Sequence, residues 1–247
     1  MTTLVLLHAF PLDSSMYDDV RDPLAAVCDV VTPDFPGFGG APLPDGEPSL
    51  DRYADAIAAV LDARGLDTVV LGGTSMGGYT AMAFLRRHPA RVSGLVLIDT
   101  KASADAPEAA AGRRAMADRL ERDGTPDALV EALFPKLLGT TTFGIRPDVV
   151  DHVRAGVRAA SPASAAWAQR AMAARPDSLD TLRTVTVPTL VVVGAEDVLA
   201  PPTDAAAMMA AVPQASLALV PDAGHLTPLE APEIVVDAVS AFLGRLG

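Results

Sequence analysis

A serine flanked by glycines lies in the segment G-T-S-M-G at 73–77. The segment follows a run rich in Val and Leu and precedes a helix-like stretch. A serine on a tight strand-to-helix turn presents its hydroxyl at the edge of a sheet, and the glycines let neighbouring backbone pass without Cβ clashes. Free N–H groups at the start of the helix favour a developing oxyanion. The pattern predicts Ser75 as a nucleophile; the alternative is a Gly-rich turn whose serine only caps the helix.

A serine hydroxyl needs a base that removes its proton, and histidine commonly fills this role. His225 follows the last predicted strand, on a loop before the final helix, and this position places it at the same sheet edge as Ser75. His88 ends a predicted helix, where a cation complements the dipole, and His152 lies on a polar stretch. We therefore predict His225 as the general base; the alternative is a loop histidine with no partner.

A carboxylate at the C-terminal end of another strand is expected to orient this histidine. Asp197 follows the predicted strand at 189–193 and is the preferred candidate. Asp99 ends the predicted strand at 95–98 and is a rival, and Glu196 is a weaker rival.

The oxyanion of an acyl-transfer intermediate needs backbone N–H donors. One donor is expected at Met76, which follows the predicted nucleophile, and the other at Phe10, on the loop directly after the first predicted strand. An internal hydrogen bond from the Phe10 N–H would contradict this assignment.

The predicted elements alternate between strands and helices. Continuous apolar runs are typical of strands buried on both faces of a parallel sheet, and they lie at 4–7, 27–32, 68–71, 95–98, 189–193 and 217–220. Helical patterns lie at 50–64, 76–88, 204–211 and 232–246. The alternation predicts an α/β fold with a mostly parallel sheet of about six strands, right-handed crossovers and helices on both faces.

The segment 100–186 breaks this alternation, because it contains helix-like stretches and no convincing strand. We interpret it as a helical cap inserted between two strands, with the core formed by 1–99 and 187–247; the alternative is a helical subdomain with no role in the site. Large apolar residues of the cap and of the loops near the site are the predicted substrate-binding residues: Phe35, Phe38, Phe134, Phe143, Trp167 and Leu226. Lys101 could bind a substrate carboxylate, but a solvated side chain is the preferred interpretation.

The composition limits the partners. The chain has 31 acidic and 19 basic residues and a formal net charge of −12, whereas nucleic acids and anionic membranes attract clusters of Lys and Arg. We therefore expect neither partner. Cys28 is the only cysteine and is predicted to be buried. No cluster has metal-ligand spacing, so we expect no metal and no cofactor. A cytoplasmic location is expected because no signal peptide or membrane span is evident; the oligomeric state is left open.

The chain resembles the α/β-hydrolase superfamily over nearly its whole length. Besides the segment at 73–77, the resemblance is carried by H-A-F-P-L-D at 8–13, D-F-P-G-F-G at 34–39, G-A-E-D at 194–197 and G-H at 224–225. The chain is similar to small bacterial carboxylesterases, 3-oxoadipate enol-lactonases and cofactor-free haloperoxidase-like esterases. The order serine, acid, histidine also matches this fold.

The resemblance implies a serine hydrolase that cleaves a small-to-medium ester or lactone through an acyl-enzyme on Ser75. The alternatives are cleavage of a C–C bond or an enol-lactone by the same residues, and ligand binding without catalysis. Two departures stand out. Ala9 replaces a glycine usual in the oxyanion loop, and a positive φ there would strain alanine. The chain also begins near the superfamily's third strand, so the amino-terminal hairpin is expected to be missing.

Overall fold

The computed structural model describes residues 2–246. Within these residues six parallel strands form one sheet in the order β2-β1-β3-β4-β5-β6. The strands are β1 (Thr3–Leu7), β2 (Asp29–Val31), β3 (Val69–Thr74), β4 (Val92–Ile98), β5 (Thr189–Gly194) and β6 (Ser216–Val220). The predicted α/β fold with a parallel sheet of about six strands is confirmed.

Burial along the strands follows their place in the sheet. Strands β1, β3 and β5 are buried at every residue, while the edge strands β2 and β6 are partly exposed. Strands covered on both faces bury side chains of both orientations, so they form continuous apolar runs. This explains why the inner strands were the easiest elements to predict.

The α-helices of the described residues surround this sheet. They are α1 (Asp18–Ala25), α2 (Leu50–Ala63), α3 (Met76–Arg87), α4 (Pro107–Asp123), α5 (Asp127–Ala132), α6 (Thr140–Ile145), α7 (Pro147–Ala159), α8 (Pro162–Ala173), α9 (Leu179–Arg183), α10 (Pro202–Ala211), α11 (Thr227–Glu230) and α12 (Pro232–Leu243). No helix within residues 2–246 has both the length and the apolar character needed to cross a membrane.

Helix α1 was not predicted from the sequence. It contains Pro23, which cannot donate a backbone hydrogen bond, and it is only two turns long. Its apolar residues Val20 and Leu24 are four positions apart and buried, and the helix packs against α12. Tertiary packing therefore stabilises a helix whose local sequence gives a weak signal.

The segment between β4 and β5 contains helices α4–α9 and no strand among the described residues. Helices α4 and α8 pack against each other, whereas α9 packs against α3 and α10. The division into a core and a cap over 100–186 stays a prediction. Helix α9 lies within the predicted cap segment but packs against two helices of the predicted core.

Candidate active site

Ser75 lies on the turn between β3 and α3 with φ 54° and ψ −112°, a conformation that residues other than glycine rarely adopt. The turn is tight. A Cβ atom on Gly73 would overlap the backbone of Gly77, and a Cβ atom on Gly77 would overlap the carbonyl of Leu7. The Thr100 hydroxyl donates a hydrogen bond of 2.8 Å to the backbone carbonyl of Ser75. The surroundings thus hold Ser75 in its strained conformation.

Ser75, His225 and Asp197 are joined by hydrogen bonds. Ser75 Oγ lies 2.7 Å from His225 Nε2, and His225 Nδ1 lies 2.8 Å from Asp197 Oδ2. Asp197 Oδ1 accepts from the backbone N–H groups of Leu199 (2.8 Å) and Ala200 (2.9 Å). An ionised carboxylate only accepts, so Nδ1 carries the hydrogen and Nε2 is free to accept the serine proton.

The electrostatics of this set favour a protonated imidazole beside an ionised carboxylate. Burial alone would lower the pKa of His225, but the charge and hydrogen bond of Asp197 outweigh it and raise that pKa above 6.5. Burial alone would raise the pKa of Asp197, but the charge and hydrogen bond of His225 outweigh it and lower that pKa. The arrangement can therefore stabilise the imidazolium that forms when a serine loses its proton.

Asp99, the rival carboxylate, lies close by but binds other groups. Its Oδ2 accepts from the N–H and the hydroxyl of Thr227, both at 2.8 Å, and its Oδ1 accepts from the Gly194 N–H at 3.1 Å. Burial, together with the charge of Asp197, raises the pKa of Asp99 to about 8. Of the two aspartates, Asp197 is the one that contacts His225.

Two glutamates connect helix α6 to the loops on which these residues lie. Glu230 is buried and accepts from the N–H groups of Gly224 and Leu226, both at 2.9 Å, which lie on either side of His225. It also accepts from the N–H just before α6 at 2.7 Å. Glu196, the weaker rival acid, accepts from threonines at the start of α6. Glu230 was not among the predicted site residues; its signal was a charge within the otherwise uncharged stretch 226–232, where a buried carboxylate needs partners.

The predicted oxyanion donors, Phe10 and Met76, lie on the loop after β1 and at the first residue of α3. Neither backbone N–H donates a hydrogen bond within residues 2–246. Ala9 is not among the described non-glycine residues with positive φ, so alanine does not strain this loop. His8 is buried, and burial lowers its pKa. Its Nε2 accepts from the Phe35 N–H at 3.0 Å, which leaves Nδ1–H to donate to the Ala9 carbonyl at 3.1 Å.

A cavity of about 350 Å³ opens onto Ser75 and His225. Much of its wall is apolar and includes Phe10, Tyr79, Met116, Leu133, Leu137 and Met172. Lys101 also lines it, with 22% of its side chain exposed, so it is not the freely solvated lysine that the sequence analysis preferred. No group of three or more His, Cys, Asp or Glu residues within 2–246 is arranged to hold a metal ion.

A larger cavity of about 740 Å³ lies between the loop after β1, the loop at 37–41 and helices α7 and α8. Neither Ser75 nor His225 lines it. We assign the site to the smaller cavity because that cavity contains both hydrogen-bonded reactive groups.

The residues predicted to bind substrate do not line the smaller cavity: Phe35, Phe38, Phe134, Phe143, Trp167 and Leu226. Phe35 and Trp167 pack against Tyr53, with ring centroids 4.7 and 4.8 Å apart. Phe38 lines the larger cavity, Phe134 and Phe143 pack edge to face at 5.6 Å, and Leu226 is fully buried. Large side chains bury the most area in the core, so closeness in sequence to the site does not decide where they point.

The fold and this site together define a hydrolase of the α/β class, and comparison with known proteins places the chain in that family. The model of the α/β hydrolase family matches residues 4–238, so the chain belongs to this family.

Esterases are among its relatives. A thermophilic esterase from Thermogutta terrifontis, solved with malate bound, is 40% identical with a TM-score of 0.96, and the alignment covers 100% of this chain and 90% of that one. A pimeloyl-[acyl-carrier protein] methyl ester esterase from Neisseria meningitidis is 31% identical, covering 80% of this chain and 76% of the relative. Its counterpart from Aromatoleum aromaticum is 39% identical over 97 residues, which cover 39% of this chain and 36% of the relative.

Proposed function

We propose that this chain is a serine esterase that hydrolyses a carboxylic ester or lactone of small to medium size through an acyl-enzyme on Ser75. The observation that carries the proposal is the hydrogen-bonded line from Ser75 Oγ through His225 to Asp197, with bonds of 2.7 and 2.8 Å. The esterase that is 40% identical over the whole chain supports the same chemistry.

Acylation would begin with transfer of the Ser75 hydroxyl proton to His225 Nε2 as Oγ attacks the ester carbonyl carbon. The carbonyl oxygen then carries a negative charge, and the free N–H groups of Phe10 and Met76 are proposed to stabilise it. The N-terminal end of α3 adds a positive dipole end at the same place. The protonated imidazole next gives its proton to the leaving alkoxide, and the alcohol departs.

Deacylation would use the same groups in the same order. His225 takes a proton from water, and the resulting hydroxide attacks the acyl carbonyl. When the second tetrahedral intermediate collapses, the imidazolium returns its proton to Ser75 Oγ and the carboxylic acid leaves. Asp197 keeps the imidazole in one tautomer throughout and does not itself take the proton.

We propose further that the inserted segment acts as a cap. Residues from α4, α5 and α8 form part of the wall of the cavity that also contains Ser75 and His225. A cavity of about 350 Å³ lies at the small end of the range for ligand sites, so the cap would limit the size of the acyl or alcohol group.

Hydrolysis of a p-nitrophenyl ester series with increasing acyl-chain length tests the proposal. The wild type, Ser75→Ala and a control, Ser93→Ala, are compared; Ser93 is exposed on β4. We expect Ser75→Ala to lose at least about 10⁴-fold in kcat because the nucleophile acts only together with its base. Ser93→Ala should keep wild-type rates, and the best chain length reports the size of the pocket.

Labelling with a fluorophosphonate separates catalysis from simple ligand binding. We expect the wild type to be labelled on Ser75 and the Ser75→Ala variant not to be labelled at all. A wild type that neither hydrolyses esters nor takes the label would instead favour a ligand-binding protein built on a hydrolase fold.

A further inference from the structure

Basic side chains gather in the cavity of a strongly acidic chain. Lys101 and Lys136 are the only lysines of a sequence whose formal net charge is −12. Both line the cavity that contains Ser75, and so does Arg113. Lys101 follows the Thr100 that contacts the Ser75 backbone, Arg113 lies on α4, and Lys136 lies in the 3₁₀ turn after α5. Three separate parts of the chain thus bring positive charge to the same space.

The carboxylate in the cavity wall is already neutralised. Asp105 accepts from Arg175 Nη2 at 2.8 Å and from Arg113 Nε at 2.6 Å. The side chains of Arg175 and Asp105 are only 4% and 3% exposed, so this pair is buried. Burial alone would raise the pKa of Asp105, but its bonds and charges with Arg175 and Arg113 lower it to about 2. Because Arg175 alone balances Asp105, Arg113 and Lys101 add positive charge beyond what the carboxylate of the cavity wall compensates.

Asp204 is a further carboxylate on which the charge of Lys101 acts, and it does not line the cavity. Burial raises the pKa of Asp204 despite the opposing charge of Lys101. Asp204 therefore offsets part of the Lys101 charge from outside the cavity, and it does not fill the space in which a substrate anion would lie.

The excess basic groups have donors to spare. Arg113 Nη1 donates to Gln169 Oε1 at 3.1 Å, but Arg113 Nη2 has no acceptor within residues 2–246. Lys101 Nζ is 3.8 Å from Asp105 Oδ1, which is beyond hydrogen-bond distance. Charge-assisted hydrogen bonds are roughly twice as strong as neutral ones, and partial burial reduces their screening by salt. A bound anion would satisfy these donors.

We propose that Lys101 and Arg113 form an anion subsite, so that the substrate of Ser75 is an ester whose non-reacting end carries a carboxylate, such as a half-ester of a dicarboxylic acid. The inference rests on the proposed esterase function. Lys136, which is exposed, adds attraction for the same anion from the mouth of the cavity.

The test uses monomethyl esters of dicarboxylic acids as anionic substrates. Two neutral substrates of equal length are compared with each: the methyl ester of the matching monocarboxylic acid, and the methyl ester in which an amide replaces the free carboxylate. The quantity measured is the ratio of kcat/KM for the half-ester to that for the neutral ester of equal length. We expect this ratio to exceed about 10 in the wild type, since a hydrogen bond to a charged group is worth more than a factor of ten. The ratio should fall as salt rises.

Three variants locate the effect. The ratio should fall about tenfold in Arg113→Gln and by a smaller factor in Lys101→Gln. Arg114→Gln is the matched control, because Arg114 is the exposed neighbour of Arg113 on α4 and does not line the cavity. It removes the same charge, so its ratio should equal that of the wild type.

Binding of a half-ester to Ser75→Ala, measured by calorimetry, gives a readout that does not need turnover. We expect the half-ester to bind more tightly than its neutral isostere. Adding Arg113→Gln to the Ser75→Ala variant should make the two ligands bind equally. Equal turnover and equal binding of the anionic and neutral esters would overturn the anion subsite and leave the esterase proposal standing. Hydrolysis that survives Ser75→Ala would overturn the esterase mechanism instead.

Discussion

The ends of the neighbouring strands β4 and β5 each carry an aspartate near His225, but the two carboxylates have different partners. Asp197, three residues after β5, accepts from the imidazole at 2.8 Å. Asp99, directly after β4, accepts instead from Thr227 and Gly194, at 2.8 and 3.1 Å. The Asp197 carboxylate contacts His225, which would move protons. The Asp99 carboxylate connects the end of β5, just before Asp197, with Thr227, just after His225.

The two aspartates have different partners because they lie at different distances along the chain from the ends of their strands. Asp99 still belongs to the sheet, since its N–H donates to the Val192 carbonyl of β5 at 2.9 Å. Its side chain contacts Gly194 at the end of β5 and Thr227 rather than the imidazole. Asp197 lies beyond a turn in which its own N–H donates to the Gly194 carbonyl at 3.2 Å, and its carboxylate contacts His225 Nδ1. Adjacent parallel strands deliver both acids to the same edge, and the loop that follows decides which of them contacts the histidine.

Asp197→Asn should have the largest effect on turnover. The amide would favour the wrong imidazole tautomer, and we expect kcat for a p-nitrophenyl ester to fall by about 10⁴. The Asn oxygen can still accept from Leu199 and Ala200, so the melting temperature should change little. Asp222→Asn is the control, because Asp222 is exposed on the same loop as His225. A loss below tenfold would show that Asp197 is not the acid that orients His225.

Asp99→Asn should affect stability more than chemistry. Its amide cannot accept from all the donors around it, and we expect urea unfolding at pH 7 to show a loss of about 1–3 kcal/mol. We expect kcat to fall by less than about 100-fold, an effect smaller than that of Asp197→Asn. The opposite order of the two variants in kcat would make Asp99 the acid.

The stability difference between the wild type and Asp99→Asn should depend on pH. The pKa of Asp99 is about 8 in the folded chain and about 3.9 in an unfolded one. Between these values the folded state binds more protons, so the wild type loses stability as pH rises from about 4 to about 8. The advantage of the wild type should therefore shrink over that interval, and an advantage that grows would contradict the raised pKa.

The pH profile of kcat/KM should show the smallest effect. A general base must be unprotonated, so activity rises with pH through the pKa of His225, which lies above 6.5. Asp197 raises this pKa more than Asp99 does. Because the pKa of Asp99 is about 8, its carboxyl is mostly neutral along this limb. The acidic limb should therefore move to lower pH in Asp197→Asn and by much less in Asp99→Asn. Identical limbs in both variants and the wild type would exclude His225 as the titrating base.

The local predictions that succeeded depended on patterns with a strict physical cause. The inner strands are buried on both faces, so their apolar runs marked β1, β3, β4 and β5 to within a few residues. The structure brings the predicted Ser75, His225 and Asp197 together at hydrogen-bond distance. The glycines around Ser75 marked the turn because no Cβ fits there.

The predictions that did not match concern side chains whose direction depends on distant packing. Phe35 lies on a loop that was predicted to be near the site, and Trp167 lies in the inserted segment. Both rings instead pack against Tyr53. Glu230 gave a weak sequence signal although it supports both sides of His225. Lys101 was expected to be solvated and instead lines the cavity.

The amino-acid sequence alone determined the order of the six strands along the chain, the tight turn at Ser75 and the short set of residues proposed to perform acyl transfer. These features follow from local backbone sterics and from the spacing of apolar residues. Both depend on residues that are close together in the chain. Only the tertiary structure decided between Asp197 and Asp99 as partner of His225, and only it brought Lys101, Arg113 and Lys136 to one cavity. Contacts of that kind join residues far apart in the chain, and they exist only when the loops and the inserted helices have packed on the sheet.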